Sequence, residues 1–139
     1  MKKQFGFLFL VILMLCLAGC RRSNFAVMVR DDYTVEVIAE NAKKDMFGGA
    51  AGFDVQEGQK LYVEPSLSKG EINIKINSFN LGADASVEEL KDAASGNNAE
   101  LDINISGTEP SEYDLEPGDY SVYASVLSKA DGRILFSVY

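Results

Sequence analysis

Residues 71–77 constrain the fold more than any other part of the chain. Ile72, Ile74 and Ile76 alternate with Glu71, Asn73, Lys75 and Asn77, the period-two pattern of a strand with one face on a core and one in water. The same alternation recurs. Phe25, Val27 and Val29 mark a first short strand that Asp31 and Asp32 end, and Tyr33, Val35, Val37 and Ala39 mark a second. Phe53 to Val55 and residues 60–64 follow, the latter stopped by Pro65. Leu101, Ile103 and Ile105, then Tyr120, Val122, Ala124 and Val126, then Ile134, Phe136 and Val138 supply the remaining inward sets. Residues 56–59 and 66–70 read as connections, and Asp131-Gly132 as the turn of a closing hairpin.

Helix enters this reading at two places. Residues 42–47 allow one or two helical turns before Gly48-Gly49. Ser86 stands three residues before Glu89, a capping-box spacing, with Val87, Leu90 and Ala94 near one face. The sum is an all-β fold of about seven strands with one or two short helices. Short antiparallel strands with one solvated face suggest a small β-sandwich, with a partly open barrel as the second reading. Two segments echo each other: residues 57–72 and 117–134 share a Gly, a Leu-Tyr-Val or Tyr-Ser-Val run, Leu-Ser-Lys and a later Ile. Each reads as a strand-turn-strand unit.

The first twenty residues follow another logic. Met1-Lys2-Lys3-Gln4 precedes a mostly apolar run from Phe5, and Leu17-Ala18-Gly19-Cys20 closes it. A basic start, an apolar core and a small-residue end describe a secretory signal. The fourteen residues 5–18 are short against the roughly 20 that a transmembrane helix needs, which disfavours an uncleaved span. Leu17-Ala18-Gly19-Cys20 closely resembles the lipobox of bacterial lipoproteins. The resemblance implies cleavage after Gly19, a diacylglyceryl group (palmitate or a similar chain) on the Cys20 sulfur, and membrane lipid as the first partner. The implied organisation is a signal peptide at 1–19, a lipidated tether at 20–24 and a β-sandwich domain at 25–139. The implied location is outside the cytoplasm, on the outer face of the cell membrane or on the outer membrane of a two-membrane envelope.

Composition bounds the chemistry of the rest. Beyond residue 19, eleven Lys and Arg stand against 21 Asp and Glu, a formal charge of -10. Nucleic acid, which requires a basic footprint, is thereby disfavoured, as is tight docking of the whole domain on an acidic membrane. The sequence has no histidine and no cysteine after Cys20. Disulfides, His-based metal sites and Ser-His-Asp or Cys-His catalysis have no residues to use, so no catalytic set and no cofactor is assigned.

Two smaller features concern sites. Leu115, Pro117, Gly118 and Tyr120 precede a strand in an order that resembles the entry to a late strand of immunoglobulin-like and fibronectin-like sandwiches. The resemblance implies that the Tyr120 hydroxyl bonds back to nearby backbone as a structural tyrosine. Tyr62, Tyr123 and Tyr139 are candidates for a binding surface, Tyr123 being offset from the inward set and expected to look outward. Asp114, Glu116 and Asp119 lie on one turn and form a weak alternative as a calcium site; a solvated acidic surface is the plainer reading, and no metal is assigned. Lys129 and Arg133 read as charges that keep the last hairpin soluble. The function expected is a non-enzymatic binding or structural module of the cell envelope whose partner is an envelope protein or a glycan. The alternatives are an accessory subunit of an envelope transport or secretion complex and, third, a small hydrolase.

Overall fold

The structure is a computed structural model that describes residues 22–78, 86–88 and 99–139. It is all-β: β1 Asn24–Asp31, β2 Thr34–Ala42, β3 Phe47–Val55, β4 Leu61–Asn77, β5 Leu101–Ile105, β6 Ser111–Tyr113 and β7 Gly118–Val138. Every pairing is antiparallel, in the order β1-β2-β7-β4-β5, with β3 on β7 and β6 on β4.

Two long strands organise the molecule. β4 pairs along its whole length with β7, from Leu61↔Val138 to Asn77↔Ser121. The register slips between Leu67 and Ile72, and this break divides the pair into two ladders. One ladder joins β1, β2, the end of β7, the start of β4 and β6; the other joins β3, the start of β7, the end of β4 and β5. Gly70 (φ 85°) and Gly132 (φ 135°) sit at the break. A Cβ on Gly70 would stand 2.3 Å from the Lys129 carbonyl oxygen, and one on Gly132 2.2 Å from that of Ser66. Each strand therefore needs a glycine where the other strand's backbone presses against it.

The echo between residues 57–72 and 117–134 has its structural meaning here, and it corrects the expectation. Neither segment is strand-turn-strand. From Leu61 in the first and Gly118 in the second, each runs as one continuous strand with a glycine at its break, and the two pair with one another. Asp131-Gly132 accordingly makes no hairpin turn. Asp131 instead accepts the Asn41 N–H on Oδ1 at 2.6 Å, where β2 bulges between Ala39 and Ala42 and Asn41 takes φ 48°.

Pro65 does not stop β4 either; it lies buried within it, opposite Ile134. The reason is the direction of its missing donor. Leu67, two residues on, turns its N–H away from β7 to the Gly107 carbonyl, at 3.0 Å. Pro65 nitrogen shares that orientation, so β4 loses no bond to β7 by carrying a proline there.

The helix expected at 42–47 is replaced by a turn and the start of β3. Asp45 N–H donates to the Val126 carbonyl and Val126 N–H to that of Met46, both near 3 Å. β3 then holds Gly48 and Gly49 inside the strand. Only Ser86, Val87 and Glu88 of the expected capping-box helix are described; Val87 and Glu88 have helical backbone, and the rest lies outside the described residues.

One core serves both ladders. Ile72, Ile74, Ile76, Val37, Leu61, Val122 and Ile134 are completely buried within a single apolar cluster, each contributing about 1.5–3 kcal/mol by leaving water. Ends of the alternating sets fall outside it: Val29 is 57% and Tyr33 58% exposed, the first near the end of edge strand β1 and the second in the β1–β2 turn. A tight turn at 56–59, closed by Gln59 N–H on the Gln56 carbonyl, brings the far ends of the two ladders together. The molecule thus has a bend end, at Gly70 and Gly132, and an open end, at residues 55–61 and Tyr139.

Candidate binding surface and anchor

At the open end, Tyr139 is fixed by two backbone bonds to Lys60: Lys60 N–H to the Tyr139 carbonyl at 2.7 Å and the reverse at 3.2 Å. Tyr62 pairs with Ser137, two residues before Tyr139, so both tyrosines stand on one face. Their ring centroids are 5.5 Å apart and tilted by 55°, an edge-inclined contact typical of aromatic pairs. Tyr139 is 70% exposed. Beside the pair runs a shallow depression of about 230 Å³ lined by Tyr62, Pro110, Ser111 and Glu112. Lys60 Nζ lies 3.2 Å from Glu112 and 3.6 Å from Asp114; the hydrogen bond to Glu112 and the Asp114 charge raise its pKa.

Tyr123 does not join this face. It sits on the other ladder, between Ala50 of β3 and Lys75 of β4. Its side chain is on the face opposite Val122 and Ala124, as alternation requires, yet it is 1% exposed rather than solvent-facing. Its hydroxyl has no well-formed hydrogen bond among the described residues. Burial pushes the phenol up, and the Ser121 hydroxyl offsets only part of that.

Tyr120 stacks on Phe53 of β3, with centroids 5.6 Å apart and 19° between planes. Its hydroxyl donates to the Glu116 carbonyl four residues upstream. Burial pushes its pKa up, and the carboxylates of Glu100 and Glu116 add to the rise.

In the acidic turn the Asp114 carboxylate faces Lys60, the main-chain carbonyl of Glu116 accepts from Tyr120, and Asp119 stands opposite Asp54 of β3 in register. Among the described residues no group of three or more acidic side chains could hold a metal ion.

Sequence reasoning missed the most enclosed charge among the described residues. Glu36 is 5% exposed, and its carboxylate lies 3.7 Å from Arg30 and 3.3 Å from Arg133. Arg133 is thus a partner in the middle of a ladder and not a turn charge. Glu36 falls on the outward phase of β2, so alternation alone assigned it to water; opposite charges on neighbouring strands were the only available signal.

A second depression, of about 310 Å³, lies at the bend end between Arg22, Glu40, Asn41 and Asp131. Among the described residues no helix is long and apolar enough to cross a membrane. Leu17, Ala18, Gly19 and Cys20 lie outside the described residues. No protein-family model matches the chain. No curated protein matches it either.

Proposed function

We propose that the protein is an exported lipoprotein, held on the membrane through acylated Cys20, whose all-β domain is a non-enzymatic binding or structural module of the cell envelope. The observation that carries the anchor is the tetrad Leu17-Ala18-Gly19-Cys20 behind a basic, apolar leader. The start of β1 at Asn24 supports it, because the first strand begins four residues after the cysteine. Two acyl chains on one residue supply durable attachment where one binds only reversibly.

The fold within this proposal is an immunoglobulin-like β-sandwich, its two ladders packed face to face about the shared core. Support comes from the single apolar cluster and from the tight turn that joins the ladders' far ends. Tyr120 is its structural tyrosine, tying the strand entry to the Glu116 carbonyl. The binding surface is the Tyr62–Tyr139 pair with the depression beside it, whose aromatic faces and polar rim suit a glycan or a segment of an envelope protein. The non-enzymatic reading starts from the absence of histidine, the commonest general base, from the sequence.

Detergent phase separation of bacterial membranes tests the anchor. Wild-type protein is expected in the detergent phase and Cys20→Ala in the aqueous phase or retained as precursor. Equal partition of the two, with both chains of the same processed length, would refute it.

A further inference from the structure

The acidic total of the chain hides a strong polarity. At the bend end, Arg22 precedes β1, Lys43 and Lys44 form the β2–β3 turn, and Lys69 and Lys129 flank the two glycines. All five are exposed. The pairing brings them together: Asn24 opposes Glu40, Ala42 opposes Ala130, and Lys69 opposes Asp131. Arg22 shares a depression with Asp131. None of the five enters an ion pair among the described residues, whereas Arg30 and Arg133 are committed to Glu36, and Lys60 to Glu112 and Asp114.

Four acidic residues share that end, Glu40, Asp45, Glu71 and Asp131, and the last is occupied by the Asn41 N–H. The balance there is near neutral with a slight positive excess. At the open end, Asp31, Asp32, Asp54, Asp114, Glu116 and Asp119 face solvent, with Arg30 and Lys60 as nearby cations. A tethered body of this polarity is repelled least, and attracted most, when its bend end faces a negative surface.

We infer that the bend end, with Arg22, Lys43, Lys44, Lys69 and Lys129, lies against anionic phospholipid headgroups, and that the Tyr62–Tyr139 face at the open end points away. The inference rests on the lipid-anchored reading. Residues 21–23 let the chain between Cys20 and Asn24 span at most about 14 Å, so the bend end stays near the distance over which surface charge acts, about 8–10 Å at moderate salt. The charges orient a domain that the acyl chains already hold; they do not have to bind it.

The test uses the acylated protein, its lipid confirmed by intact mass, in phosphatidylcholine vesicles with or without about 30 mol% phosphatidylglycerol. A water-soluble acetylating reagent labels the lysines, and mass spectrometry compares Lys43, Lys44, Lys69 and Lys129 with Lys60 as internal reference. Anionic vesicles are expected to lower labelling of the four about threefold relative to Lys60, with recovery in about 0.5 M salt. In Lys69→Glu/Lys129→Glu the protection of Lys43 and Lys44 should be lost. Equal labelling in the two kinds of vesicle overturns the inference while leaving the anchor intact. Protein that carries no lipid overturns the anchored reading itself.

Discussion

Gly70 and Gly132 occupy equivalent places on the two long strands, and each meets the other strand's backbone. Gly132→Ala would force a Cβ to within 2.2 Å of the Ser66 carbonyl oxygen at a positive φ. A destabilisation on the order of 3 kcal/mol or outright failure to fold is expected, since neither backbone can yield without breaking the ladder. Gly58→Ala separates strain from collision: φ is 84° there, but no atom lies within 4 Å of the added Cβ. Its cost should be about 1 kcal/mol. Urea denaturation of the two variants reads the difference, and equal costs would show that contact between the strands does not set the break. Glu36 poses the other residue-scale question. Truncating Arg30 and Arg133 together leaves a nearly buried carboxylate without a partner, a loss of about 3 kcal/mol. Glu36→Ala leaves two well-exposed arginines in water and should cost less. The same denaturation assay ranks the two, and the reverse order would contradict the enclosed-carboxylate account.

At the scale of elements, the alternation in residues 72–76, 101–105, 120–126 and 134–138 announced its strands and their inward faces correctly. Continuity was hidden. Pro65, Gly70 and Asp131-Gly132 are ordinary turn residues, and only the neighbouring chain reveals that Pro65 wastes no donor and that the glycines admit a crossing backbone. The candidate surface was legible in part for the same reason. Tyr62 and Tyr139 share a face because the register of β4 and β7 aligns them, whereas Tyr123 belongs to the other ladder and is covered. β7 also carries the alkaline response. Tyr120 and Tyr123 have folded pKa values raised above 10.0 by burial. Below pH 10 folded and unfolded chains both keep these protons, and the stabilisation is fully present. Above it the unfolded chain releases them first, so stability falls as pH rises through the folded values. Lys60, raised above 10.5, acts in the same direction but is too exposed to add much. Urea midpoints should therefore hold through neutral pH and drop beyond pH 10. Tyr120→Phe should start about 1 kcal/mol lower for its lost hydrogen bond to Glu116 and fall less steeply. A midpoint that does not move above pH 10 would contradict the burial of these phenols.

For the whole molecule, the fold, the charge distribution and the proposed anchor agree on one placement. Two long strands with reciprocal breaks build one core, the break marks the less acidic end, and the chain emerges at that end toward Cys20. The aromatic pair lies at the other end, and under the proposed function that is the face left for an envelope partner. Everything in this placement depends on the chemistry of one cysteine. The most direct measurement is the intact mass of the protein from a bacterial membrane fraction, beside Cys20→Ala. A mature chain that starts at Cys20 and carries two or three acyl groups, absent from the variant, is the predicted result. An unmodified chain that retains residues 1–19 would contradict the account and leave the all-β domain without its anchor.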